Sequence, residues 1–223
     1  MVKRSIESEM RDDIVRGRIA PSSWLRMEEL KARFDVGFSP IREALARLSA
    51  KGLVELEPNR GFRVPDLSRD DLYDIAVTRC AVESAALRRS IELGGHDWEG
   101  GIVAAMHRYR RKSERAFESE ADLKDWEEAH EALHAALISS CGSPRLIAMQ
   151  KLLQDQHMRY RRVIVIPQLS ADVPVEEHER LVALVLDRRV EEAVTAIERH
   201  MMITVDALDR ARFWETATTG VRE

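Results

Sequence analysis

The chain has only two cysteines in 223 residues, Cys80 and Cys141, and they stand apart. There is no CxxC spacing and no disulfide framework of the kind that staples small secreted domains, so reduced, partly buried thiols are expected. Long apolar runs are also missing. No stretch approaches the roughly 20 residues a membrane span requires, and the opening Met1-Val2-Lys3-Arg4-Ser5 has none of the apolar character of a secretory signal. A cytoplasmic protein with no membrane partner is expected. An excess of basic charge is lacking too: the net charge is −4, which by itself argues weakly against nucleic acid as a partner. The distribution is uneven, however. Residues 1–66 carry 13 Lys+Arg against 11 Asp+Glu, a balance of +2, and the remainder carries 22 against 28, a balance of −6. That suits an acidic sensor attached to a mildly basic reader.

With 44 % hydrophobic and 33 % charged residues, the composition is that of a helix-rich folded chain, and the length suggests two unequal domains. In the first, Ile6, Met10 and Ile14 recur at four-residue steps before Gly17, marking a short amphipathic helix closed by glycine. A second helix runs from about Met27 to Phe34, followed by the turn Asp35-Val36-Gly37-Phe38. Ser39 reads as an N-cap and Pro40 as the first residue of a third helix, whose Ile41, Ala44, Leu45 and Leu48 face inward. Gly52 stops it. Leu53-Val54-Glu55-Leu56 and Phe62-Arg63-Val64 then read as two strands around Pro58-Asn59-Arg60-Gly61, a small β wing. This is the order of a winged helix-turn-helix over residues 1–66. The third helix turns Arg42 and Arg47 away from the core. Docked by its N-terminal end in the major groove of double-stranded DNA, it would present Ser39, Arg42 and Arg47, while Arg60 and the Gly61 backbone approach the sugar-phosphate strand. Any one arginine could be a merely solvated position; for the group, the order of elements favours DNA.

From Leu67 onward every long segment has helical spacing, so residues 67–214 are expected to form an all-helical antiparallel bundle, with 215–223 a disordered tail. Ser68 with Asp71 suggests a capped first helix ending near Gly94-Gly95. Further helices are predicted over 98–117, 122–140, 145–166, 175–186 and 190–213. Several polar residues fall on the apolar stripes of these helices, where burial is costly unless compensated. His130 and His134 lie one turn apart among Trp126, Leu133, Leu137 and Ile138; His178 shares a stripe with Leu181, Val182 and Val185; His200 shares one with Ala193, Ile197 and Leu208. A single inward histidine is usually a hydrogen-bonded core residue. Four together suit a divalent metal, zinc or nickel, held between facing helices. His96, His107 and His157 show no such convergence and are expected to be surface or partly buried residues. Arg79 and Glu83 fall on the stripe of Leu72, Ile75, Ala76 and Ala86. Arg79 either pairs with Glu83 alone or also holds the carboxylate of a ligand through its fork. Arg159, Tyr160 and Arg161 supply a second polar group that could meet the far end of a dicarboxylate.

The string Ser39-Pro40-Ile41-Arg42-Glu43-Ala44-Leu45, with Leu48, Gly52-Leu53-Val54 and Asn59-Arg60-Gly61-Phe62-Arg63-Val64, resembles the GntR family of bacterial regulators. The resemblance implies that Arg42 contacts DNA and that Gly61 lies against the minor groove. Phe38, where an arginine is frequent, and Glu28, at a site basic in some members, depart from the pattern, so the family's operator sequences do not carry over. Arg79-x-x-x-Glu83, His134-x-x-Leu137 leading to Cys141-Gly142-Ser143, Glu177-His178, and Ala193 before His200 resemble the FCD ligand-binding domain of the FadR subgroup. There an aspartate and three histidines bind metal. His134, His178 and His200 match the histidines, and His130 stands at the aspartate position. The segment from Trp126 to Gly142 and Arg159-Tyr160-Arg161 resemble the glutarate-responsive repressors of the subgroup, which implies a short dicarboxylate or related acid as effector. The mechanism expected is a linkage: a homodimer binds two DNA half-sites, and the acid relieves repression by changing the population of dimers whose reading heads fit that spacing. Two other readings use the same histidines: a regulator answering to the metal itself, and an enzyme with a catalytic metal. The enzyme reading lacks a general base on the same face and leaves residues 1–66 without a purpose.

Overall fold

The computed structural model describes residues 5–114, 118–168 and 175–214. Helix α1 (Ile6–Val15) is capped by Ser5, whose side chain accepts from the Ser8 amide, and the chain leaves it through Gly17 at φ +70°. A two-residue strand β1 (Trp24–Leu25) precedes α2 (Met27–Phe34), which ends at a left-handed Asp35. Helix α3 (Phe38–Ala50) begins one residue before the expected cap: Gly37 occupies the N-cap, and Ser39 and Pro40 sit within the first turn. Proline is tolerated there because first-turn amides have no partner inside the helix. The wing consists of β2 (Glu55–Glu57) and β3 (Gly61–Arg63), joined through left-handed Asn59. Strand β1, too short to show a period in the sequence, pairs antiparallel with β3 and makes the sheet three-stranded in the order β1-β3-β2.

The rest is helical: α4 (Arg69–Leu93), α5 (His96–Ser113), α6 (Glu120–Ile138), α7 (Pro144–Gln168), α8 (Val175–Leu186) and α9 (Val190–Arg210). Ser68 caps α4 by accepting from the Asp71 amide, as the sequence suggested. Helix α4 packs along α7 and α9, and α5 packs along α6 and α8. One apolar core gathers Ile14, Ile41, Leu45, Leu48 and Leu53 from the N-terminal segment. Another gathers Leu87, Ile102, Leu133, Leu137, Leu181 and Ile197 from the bundle. Met158 of α7 belongs to the first of these, so a bundle helix plugs directly into the N-terminal core. Among the described residues no helix is long and apolar enough to cross a membrane. Residues 215–223, expected to be a tail, lie outside the described residues.

Candidate functional site

Helix α3 buries Ile41, Ala44, Leu45 and Leu48 and leaves Phe38, Ser39, Arg42, Glu43, Ala46 and Arg47 exposed. Arg42 has no hydrogen-bond or ion-pair partner among the described residues. Arg47 differs: its Nε donates to Glu7 of α1 at 2.8 Å, so its charge is engaged inside the domain. In the wing, Arg60 donates to Glu57 at 3.1 Å and lies over the Trp24 ring, 4.9 Å from its centroid. Gly61 has φ +104°, which strains any side chain, and the space beside it is open. Backbone can therefore approach a partner closely there.

The four histidines expected to converge do so. His130 and His134 of α6, His178 of α8 and His200 of α9 place one ring nitrogen each within 4.8 Å of one another. Burial pushes His130 and His200 well below the ordinary imidazole range. It also lowers His134, although Glu83 pulls the other way. The rings are thus held in the neutral form that ligates metals. Around a tetrahedral ion, imidazole nitrogens at zinc-like bond lengths lie about 3.3 Å apart, so the widest pair would have to close by up to about 1.5 Å. Both His134 nitrogens lack a hydrogen-bond partner in a buried site, and its Nδ1 lies 3.6 Å from Glu83 Oε2, itself unpartnered. An ion at Nε2 with Glu83 behind Nδ1 would satisfy all three. The donor set fits a divalent metal.

His130 behaves differently from the other three. Arg161 Nη1 lies 3.0 Å from its Nδ1, and a guanidinium has only donors, so Nδ1 accepts. The proton of the neutral ring then sits on Nε2, 3.1 Å from His178 Nε2, to which it donates. All four histidines still offer a nitrogen to one centre; for His130 Nε2 to ligate, the ring proton must move to Nδ1 and Arg161 must release that nitrogen.

Next to this cluster, Arg79, Gln154, His157, Arg161, Ile203 and Thr204 enclose a small cavity that His130 and His200 also reach. Arg79 donates to Glu83 at 2.9 Å. Burial alone would raise Glu83, but Arg79 and His134 outweigh it and hold its carboxyl below the ordinary range. Glu83 is therefore a carboxylate held between Arg79 and His134. Arg161 Nη2, Gln154 Oε1 and both nitrogens of His157 are buried without partners. Two guanidiniums and a set of orphaned polar groups around one cavity match a small anion with further polar atoms. Arg159 and Tyr160, expected at this site, are elsewhere. Arg159 donates to the Pro65 carbonyl, and the Tyr160 hydroxyl donates to Asp71 and accepts from the Ser68 amide. Successive residues on a helix point about 100° apart, and it is Arg161 that faces the cavity. His157, expected near the surface, is buried and lines it. The missed signal was the stripe Gln150, Gln154, His157, Arg161, polar at helical steps and buried throughout.

Comparison with known proteins finds two family profiles along the chain. The profile of the bacterial regulatory proteins of the gntR family matches residues 2–64, and that of the FCD domain matches residues 74–202. The HTH-type transcriptional regulator BphR of Paraburkholderia xenovorans (strain LB400) is 36 % identical over 89 % of this chain and 82 % of its own length. The HTH-type transcriptional repressor GlaR of Escherichia coli (strain K12) is 32 % identical over 91 % of this chain and 93 % of its own. Among solved structures, E. coli McbR/YncC superposes with a TM-score of 0.78 over 95 % of this chain and 100 % of that one, at 18 % identity, a likeness of fold alone. A GntR family member from Pseudomonas syringae pv. tomato str. DC3000 is 26 % identical, with a TM-score of 0.56 over 96 % of this chain and 87 % of that one.

Proposed function

The chain belongs to the GntR family of bacterial regulatory proteins and carries an FCD domain, and from that premise we propose that it is a homodimeric repressor released from its operator by a small carboxylate. It is a DNA-binding transcriptional regulator and not an enzyme. In this reading residues 1–66 bind DNA and residues 67–214 bind the effector and dimerise. Arg42 is the base-reading or phosphate-reading residue, with Ser39, Arg60 and the Gly61 backbone beside it. Arg47 acts mainly by tying α3 to α1.

The observation that carries the effector assignment is the buried cavity with two arginines, Arg79 and Arg161, and four unpartnered polar atoms. The cavity measures about 20 Å³, the room of a single water, so the surrounding helices must part to admit an acid, whose carboxylate and second polar end would then pair with these donors and acceptors. A short dicarboxylate such as glutarate, the class implied by the sequence resemblance, has the right chemistry. His134, His178 and His200, with His130 as the fourth candidate, would hold a divalent ion, zinc or nickel, next to the cavity, where it would supply positive charge beside the acid. Nothing in the relatives' names points to the ion as the signal.

The deciding measurement is fluorescence anisotropy on labelled DNA from upstream of the protein's own gene, with random duplex as competitor and salt fixed. Glutarate and other acids of two to six carbons are titrated into the metal-loaded complex. Release by one of them, lost in Arg79→Ala and Arg161→Ala while DNA binding persists, is the expected result. If no acid alters DNA affinity at millimolar concentration, or the two variants respond as the parent does, the carboxylate reading is wrong.

A further inference from the structure

Among the described residues of the N-terminal domain, the large apolar side chains that remain exposed are Phe38 and Leu56. Leu56 lies on wing strand β2. Phe38 is the first residue of α3, one turn before Arg42, and residues four apart are neighbours on one helix face. The residue is 39 % exposed. Lys31 of α2 lays its ammonium over the ring, 4.9 Å from the centroid, and so steadies it at the mouth of the helix. Such a phenyl group still keeps about two fifths of its surface in water. In the major groove it meets base edges made of hydrogen-bond donors and acceptors, with one apolar exception, the C5-methyl group of thymine. Wedging an aromatic ring between base steps is a minor-groove device, and α3 by its N-terminal end is built for the major groove.

We propose that Phe38 is a specificity-determining residue that packs against a thymine methyl in each operator half-site, on the groove edge that Arg42 also reaches. This rests on the docking of α3 proposed above. The contact adds a sequence requirement at a position where no hydrogen bond is made. It draws on apolar area that the free protein leaves in water.

The test starts from duplexes recovered from a randomised library by the full-length protein. Deoxyuridine then replaces each thymine in turn, which removes one methyl group and leaves the hydrogen-bonding edge unchanged. For the parent protein, one position per half-site should lose about fourfold in affinity, and about 15-fold when both half-sites are substituted, as expected for one buried methyl each. Phe38→Ala should still bind and be indifferent to uracil at that position, and Phe38→Leu should keep part of the sensitivity. A parent protein with no uracil-sensitive position, or a Phe38→Ala variant as sensitive as the parent, overturns the proposal. Arg42→Ala separates the premise from the inference: if it binds the selected duplexes as the parent does, the docking itself is wrong and the thymine contact falls with it.

Discussion

A guanidinium has no lone pair to give, so while Arg161 remains bonded to His130 Nδ1, the opposite nitrogen of that ring keeps its proton. In that arrangement His130 would stand beside a bound ion without ligating it. His130→Ala is expected to weaken zinc binding by about 10- to 100-fold, the usual effect of an outer-shell partner, whereas His134→Ala should weaken it further. Isothermal titration of the metal-free proteins would show this, and equal losses would put His130 among the ligands. The buried rings also set a pH dependence. His130, His134, His157 and His200 are all held below the ordinary imidazole value by burial, so the unfolded chain binds more protons than the folded one once the pH falls through about 6.5. Stability should therefore decline on acidification below that value, each ring contributing up to about 1.4 kcal/mol per pH unit. Glu83, held low, adds loss in the same direction only below about 4.5. Thermal melts in chelator between pH 8 and 5 check this; an unchanged midpoint would mean that water reaches the rings. The histidines were legible in the sequence because each interrupts an apolar stripe. Arg161 could not be told from Arg159, because nothing on its own helix fixes the phase.

That helix, α7, explains the difficulty at the scale of elements. Around Gln154–Arg162 its sequence is almost entirely polar, which ordinarily means a solvated helix, yet the structure buries nearly every side of it. Gln154, His157 and Arg161 face the cavity. Asp155 receives Arg11 of α1, Gln156 donates to the Lys51 carbonyl at the end of α3, and Met158 enters the N-terminal core. Arg162 meets Glu127 of α6, which also accepts from Arg16 at 2.8 Å. Amphipathic periodicity detects a helix with one wet face, and α7 has partners in two domains instead. The short strand β1 was hidden for another reason: two residues cannot display a period of two. Because α7 touches both the cavity and the N-terminal core, Met158→Ala should cost about 2–5 kcal/mol and uncouple the two. Calorimetry should then show the N-terminal domain melting in an earlier transition, and the acid should lose part of its control over DNA. A single transition with full control would assign the coupling to another element.

For the whole molecule, an acidic bundle joined to a mildly basic reader gives little long-range attraction to DNA, so specificity must come from a few short-range contacts and, in the proposed dimer, from the spacing of its two reading heads. Arg42→Ala should remove specific binding, a loss of about 5- to 150-fold per half-site for one good base contact, while leaving the dimer and its acid binding intact. Sedimentation and calorimetry would show both. A carboxylate that changes the population of dimers with the right head spacing must obey linkage: whatever factor it takes from DNA affinity, operator DNA must take from acid affinity. That factor is expected to be about 5- to 150-fold, the range of couplings of roughly 1–3 kcal/mol. Titrating glutarate into the metal-loaded protein, free and saturated with operator, measures it directly. Matching factors would place the effect in the equilibrium between conformations. Release of DNA without any change in acid affinity would break the reciprocity and point to a different event, such as stripping of the ion by the dicarboxylate, which the metal content of the released protein would reveal.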